Sequence, residues 1–243
     1  DAEGQGQTTA GGQEGHTECV GAFGKNQSQS QQLNMELRKY QIEARDALLR
    51  GAEKFQKQVC VLPCGGGKTI TFASLIRERL PGRALVLAHR ESLVEQAVDK
   101  IWDTIKMKAG VEMASSRAGQ NDAVVVSSIQ SLQNRLDRWS PDHFKTVIVD
   151  ECHHVLAESW LKVLNHFDSH GSVFGWTATP SRGDRRSIGN YFQNFTYEIG
   201  MRDLIDQGYL CPIVLKALPV QIDMSNVSSV AGDFHQGQTH QTL

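Results

Sequence analysis

Apolar and polar positions alternate along this chain in two distinct ways. From Met35 onward, brief β-rich apolar runs ("QVCVLP", "ALVLAH", "AVVVSS", "TVIVDE" and "SVFGWTA") each end in small, polar or acidic residues. Between them lie stretches with helical spacing. "LRKYQIEARDALLRGAEKF" sets Leu37, Ala44, Leu48 and Leu49 among charged residues, and "KTITFASLIRERL" and "ESLVEQAVDKIWDTIK" are further helical stretches. Nearly continuous apolar strands that alternate with helices predict an α/β fold, a doubly wound and mostly parallel sheet flanked by helices. Ligands of such sheets sit at the carboxyl ends of the strands, which is where the polar and acidic ends of these runs fall.

Composition changes this picture at the N-terminus. Residues 1–34 are rich in Gly, Gln, Ser and Thr, and nearly free of large apolar side chains. Such a leader cannot bury enough surface to offset the entropy of ordering, so it is expected to be disordered. Because the chain opens on Asp1 and the pattern on Met35, the natural start is expected at Met35, the leader being a tag, read-through or linker. The 243 residues, 40% hydrophobic and 21% charged, suit one sizeable domain with extra segments. A net charge of −2 decides nothing about a polyanionic partner, since a basic face can hide in a balanced total. Five irregularly spaced cysteines do not read as a disulfide framework and fit a reducing compartment. With no membrane-length apolar run and no signal-peptide pattern, the expectation is a soluble, cytoplasmic protein.

The candidate chemistry lies at three strand ends. "LPCGGGKTITF" places Cys64, Gly65, Gly66 and Gly67 between a strand and a helix that starts near Lys68. Backbone N–H groups and a helix N-terminus in that context cradle a phosphate. Lys68 would reach the β/γ-phosphates and the Thr69 hydroxyl would ligate Mg²⁺. The strict P-loop pattern has Gly where this chain has Leu62. A glycine-rich turn with an incidental lysine, or a zinc site on Cys60 and Cys64, are the competing readings. "KTVIVDECHH" ends a strand in two carboxylates, Asp150 for the metal and Glu151 for the attacking water. The alternative is a polar strand-end turn. His153 and His154 fit hydrogen bonding within the site, and His166 and His170 a solvated helix face, better than they fit a metal centre.

"GGGKT", "DECH" and "TATP" in this order resemble motifs I, II and III of superfamily-two helicases and translocases. The chain is similar to the bacterial branch that holds restriction-enzyme motor subunits and DNA-repair helicases. "LRKYQ" resembles the adenine-recognition segment, "VLAHRESLVEQ" motif Ia, and "VVVSSIQSL" a strand-end motif that touches the nucleic-acid backbone. "TATPSRGD" continues as the family does, with Arg182 and Asp184 two residues apart. The resemblance spans residues 36–218, and members often lack Gly at the position of Leu62.

The resemblance implies a RecA-like P-loop NTPase lobe over residues 35–218, followed by a connection, 219–243, to a second lobe that this sequence lacks. By similarity Gly65, Gly67, Lys68 and Thr69 hold Mg²⁺–ATP, and Asp150 and Glu151 bind metal and activate water. Gln41 reads the adenine edge, with Arg38 or Tyr40 packing near the base. Thr177, Thr179 and His153 couple the nucleotide to the nucleic acid. Arg90, Ser127, Ser128 and Gln130 meet backbone phosphates, which position without reading sequence. The implied function is the N-terminal motor lobe of an ATP-dependent helicase or translocase, with DNA favoured over RNA and little activity without its second lobe. Two other readings stand beside it: a docking module without turnover, and an unrelated P-loop kinase or GTPase.

Overall fold

The computed structural model describes residues 36–178, 185, 188–214, 229–230 and 233–234. The leader 1–34, most of 219–243, and Thr179, Arg182 and Asp184 lie outside the described residues.

Seven strands form one parallel sheet: β1 (Lys57–Val61), β2 (Ala84–Ala88), β3 (Gly110–Glu112), β4 (Val124–Ser128), β5 (Thr146–Asp150), β6 (Ser172–Thr177) and β7 (Asn194–Glu198). Their order is β3-β4-β2-β5-β6-β1-β7. The five runs with unbroken apolar character are the five inner strands, as expected of strands covered on both faces. The two edges are β3 and β7, which the sequence pattern did not reveal. Helices α1 (Lys39–Gly51), α2 (Lys68–Glu78), α3 (Glu91–Ile105), α4 (Ile129–Leu132), α5 (Glu158–Phe167) and α6 (Met201–Asp206) complete the lobe. Ser229–Val230 and Asp233–Phe234 make a separate short antiparallel pair.

Alternate residues of each inner strand enter different cores. Cys60, Val86, Val126, Ile148, Phe174 and Trp176 pack with α1, α2, α3 and α6. Val59, Leu85, Val125, Val147, Val149 and Val173 pack with α4 and α5. This alternation is the physical content of a doubly wound sheet. In the first core, the rings of Phe72 (α2) and Trp176 (β6) meet edge-on at 6.0 Å. Edge-on geometry suits the ring quadrupoles, and it anchors the helix that follows the glycine loop.

The register levels the candidate site. Asp150 lies opposite Trp176, and Val61 opposite Thr177. The carboxyl ends of β5, β6 and β1 are therefore side by side, each carrying one of the three motifs. Among the described residues no helix is long and apolar enough to cross a membrane.

Candidate nucleotide and nucleic-acid site

The glycine loop leaves β1 and turns into α2 within six residues. Gly65 and Gly67 hold φ of 77° and 76°, the left-handed region that penalises any side chain. The Tyr40 hydroxyl donates to the Gly66 carbonyl at 2.8 Å and Gln41 Nε2 donates to the same oxygen at 3.1 Å. Thr71 Oγ1 donates to the Gly67 carbonyl at 2.9 Å. With the Gly66 and Gly67 carbonyls drawn off in this way and the Gly66 N–H turned to the Pro63 carbonyl, the loop presents its other N–H groups and the first turn of α2, the chemistry of an anion cradle. A Cβ at Gly67 would lie 2.4 Å from Gln41 Nε2, so the loop and α1 fit only without one.

The structure gives Gln41 a task that its expected one did not include. It is 4% exposed; its Oε1 accepts from the Arg38 N–H at 2.9 Å, capping α1, while its Nε2 holds the loop. Both ends of the amide are engaged. Arg38 is exposed beside it and Tyr40 is buried.

The acidic turn faces the loop. Lys68 Nζ stands 3.2 Å from Glu151 Oε1, and His153 Nδ1 stands 3.4 Å from Glu151 Oε2. Glu151 has φ of 53°, an uncommon conformation for a residue with a Cβ, and its N–H donates to Asp150 Oδ1 at 3.0 Å. Burial, and then the neighbouring Glu151 carboxylate, push the Asp150 carboxyl up to about 6, against the pull of Lys68. Two carboxylates thus share one ammonium, an arrangement suited to admitting a further cation. The residues present fit a magnesium ion shared with phosphate oxygens: Asp150 at the strand end and Thr69 in the first turn of α2 are the hard oxygen donors such an ion takes. Thr69 is half-buried and lines a cavity of about 470 Å³ with Gly67, Ile70, Gln96 and Asp99.

The zinc alternative finds no support. Cys60 is buried inside β1, with its thiol driven well above the usual range by burial, whereas Cys64 is exposed on the loop. Among the described residues no group of three or more His, Cys, Asp or Glu can hold a metal. His166 departs from the solvated face expected of it, since its Nε2 lies 2.8 Å from the Trp139 carbonyl.

On the other lip the four expected phosphate contacts separate into two kinds. Arg90, the N-cap of α3, is exposed, as is Gln130, whose Nε2 donates to the His89 carbonyl at 3.0 Å. Ser127 is fully buried, with its hydroxyl donating to the Glu112 carbonyl at 2.8 Å. Ser128 caps α4, its Oγ accepting from the Ser131 N–H at 3.3 Å. Neither serine hydroxyl is free for a phosphate; both are spent on the backbone and on Ser131.

A row of imidazoles joins the two lips. His153 and His154 have ring centroids 4.1 Å apart, and His154 and His89 5.2 Å apart. Burial lowers the pKa of both His89 and His154; the neighbouring Arg90 adds to this for His89, and His153 for His154. Sequence reading placed His153 and His154 in the site, with the coupling role given to His153, and gave His89 no role. Thr177 is buried at the end of β6, where its carbonyl accepts from the Leu62 N–H at 3.0 Å, directly before the glycine loop.

A parallel sheet that delivers a phosphate loop, an acidic turn and a threonine from neighbouring strands defines the N-terminal RecA-like lobe of a superfamily-two helicase, a P-loop motor domain. Within that class the chain belongs to the ResIII family, "Type III restriction enzyme, res subunit", which matches residues 34–182. It is 32% identical over 217 residues to "Putative ATP-dependent helicase IRC3" of Saccharomyces cerevisiae, covering 82% of this chain and 31% of that protein. It is 31% identical over 189 residues to "Putative mitochondrial ATP-dependent helicase irc3" of Schizosaccharomyces pombe, covering 72% of this chain and 31% of that one. The chain therefore spans about a third of the length of these relatives. Among solved structures, the type ISP restriction-modification enzyme LlaGI in complex with a DNA substrate mimic superposes with a TM-score of 0.57 at 20% identity, covering 72% of this chain and 21% of that one. That likeness concerns the fold.

Proposed function

We propose that this lobe binds Mg²⁺–ATP and the backbone of a nucleic acid, DNA in preference to RNA, as the first half of an ATP-driven translocase. The observation that carries the reading is Lys68, held between the glycine cradle and Glu151 at 3.2 Å. When a triphosphate seats on the loop N–H groups, the Lys68 ammonium exchanges the carboxylate for the β- and γ-phosphate oxygens. Glu151 is thereby released, and His153, 3.4 Å away, keeps it oriented to polarise the attacking water. Thr69 and Asp150 would hold the magnesium ion, which would supply positive charge to offset that of the phosphate oxygens. Asp150, pushed up to about 6 in the present arrangement, ionises fully when a cation sits beside it.

Arg90 and Gln130 form the exposed part of the opposite lip and contact phosphates without reading bases. The restriction-enzyme kinship and the DNA mimic bound by LlaGI support DNA. Turnover draws on an arginine from beyond this lobe, a contribution worth about 10³ to 10⁵ in rate. The test is to measure binding of labelled single-stranded DNA and RNA across a salt series, together with ATP hydrolysis by the chain alone. Sequence-independent DNA binding that weakens steeply with salt, with slow and unstimulated hydrolysis, is expected. Fast DNA-stimulated hydrolysis by this chain, or no DNA binding at low salt, would contradict the proposal.

A further inference from the structure

The segment after β7 folds back onto the glycine loop. Helix α6 ends at Asp206, and Gly208 just beyond it, with φ of 74°, lets the N–H groups of Tyr209 and Leu210 both return to the Leu204 carbonyl, at 2.8 and 3.1 Å. This return lays side chains on the loop. A Cβ at Gly66 would lie 3.5 Å from Leu204 Cδ1, and one at Gly65 would lie 3.2 Å from Leu210 Cδ2. The Tyr209 ring meets the Tyr40 ring edge-on at 5.0 Å, and Tyr40 is the residue whose hydroxyl holds Gly66.

Arg38 completes the arrangement. Its guanidinium carbon stands 5.5 Å from the centroid of the Tyr209 ring, and its Nη1 donates to the Tyr209 carbonyl at 3.2 Å and to the Tyr40 hydroxyl at 3.4 Å. A planar cation is thereby fixed against an aromatic ring at the rim of the phosphate cradle. Arg38 is exposed, so the guanidinium keeps a face open to solvent. Stacking of a flat π-system on a guanidinium is a contact every purine can make. With the Gln41 amide engaged at both ends, the open Arg38 guanidinium offers a base a face to stack on.

We infer that Tyr209 is a positioning residue for the nucleotide base: it holds the Arg38 guanidinium flat as a platform on which a purine stacks once the triphosphate is seated. The inference rests on the reading of Gly65–Thr69 as a phosphate cradle. It gives the return after α6 a place in the nucleotide site, contributed from beyond the last strand of the sheet.

The experiment compares Mg²⁺–ATP with Mg²⁺–tripolyphosphate, which has the phosphates without the base, by calorimetric titration into the whole chain. Wild type should bind ATP more tightly than tripolyphosphate. Tyr209→Ala should lower ATP affinity by about 5- to 100-fold, the range of one stacked base, and leave tripolyphosphate affinity unchanged. Tyr209→Phe should keep the ATP preference, because the ring and not the hydroxyl carries the contact. Should Tyr209→Ala fail to fold, Arg38→Ala, at an exposed position, should give the same selective loss. Equal weakening of both ligands in Tyr209→Ala would make Tyr209 a support of the loop alone and overturn the inference, as would unchanged ATP affinity. Wild type that binds tripolyphosphate as tightly as ATP would remove the platform and leave the cradle standing. Binding of neither would remove both.

Discussion

Two carboxylate centres lie at strand ends of this sheet, one buried and one half-buried, and they are provided for in opposite ways. Glu112, the last residue of β3, is fully buried and receives ion pairs from both Arg135 and Arg138, with the Ala118 N–H donating to Oε2 at 3.2 Å. One carboxylate has two cations. At the end of β5, Asp150 and Glu151 share the single ammonium of Lys68, and Asp150 is pushed up to about 6 by burial and by its neighbour's charge. The over-supplied centre ties the β3 edge to the chain after α4 and does nothing else visible. The under-supplied centre faces a cradle for anions. A half-buried acidic pair short of positive charge is costly to keep, and the proposed Mg²⁺–ATP would bring the missing cation.

The contrast can be broken most forcefully at Glu112. Glu112→Gln leaves two arginines facing an uncharged amide and should cost about 3 to 5 kcal/mol in urea-induced unfolding. A loss under about 1 kcal/mol would mean that the arginines are solvated and the centre is not structural. Asp150→Asn should act in the opposite direction. The Asp150 carboxyl titrates at about 6 in the folded chain against 3.8 in an unfolded one, so the folded state holds the proton more tightly. The stability this group contributes is full below 3.8 and is lost as pH rises through about 6. Replacing it with a neutral amide should stabilise the chain by about 2 to 3 kcal/mol at pH 8 without added metal, and the gain should vanish at about pH 3.5. Thermal unfolding at the two pH values reads this directly, and destabilisation at the higher pH would count against an over-charged site.

The smallest effects separate the two kinds of residue on the opposite lip. Ser127→Ala should cost about 1 kcal/mol of stability by leaving the Glu112 carbonyl short of a donor, with DNA affinity unchanged. Arg90→Ala should leave stability unchanged and reduce the salt slope of DNA binding by about one. If Ser127→Ala weakened DNA binding and Arg90→Ala did not, the assignment of this lip would be reversed.

The same contrast explains what could be read from the sequence. The five inner strands declared themselves because burial on both faces demands unbroken apolar runs. The edges β3 and β7 did not: Gly110–Glu112 has three residues and ends in a charge, and Asn194–Glu198 is only half-buried along most of its length. At the site, the residues that stood out were those whose chemistry is fixed locally, the left-handed Gly65 and Gly67 before Lys68, and the carboxylates closing β5. Ser127 and Ser128 misled because a hydroxyl at a strand end serves a helix cap or a neighbouring carbonyl as readily as a phosphate. Glu112, Arg135 and Arg138 gave no signal, since only the fold brings them together. Tyr209 was silent for the same reason, lying 171 residues from the Arg38 that it supports.

The central claim is that the glycine loop is a nucleotide cradle governed by Lys68. Its most direct test is calorimetric titration of Mg²⁺–ATP into the wild-type chain and into Lys68→Ala under identical conditions. Saturable heat from the wild type, lost in a variant that unfolds with the same cooperativity, is the predicted result. Equal binding to both proteins, or none by the wild type at millimolar ATP, would contradict it.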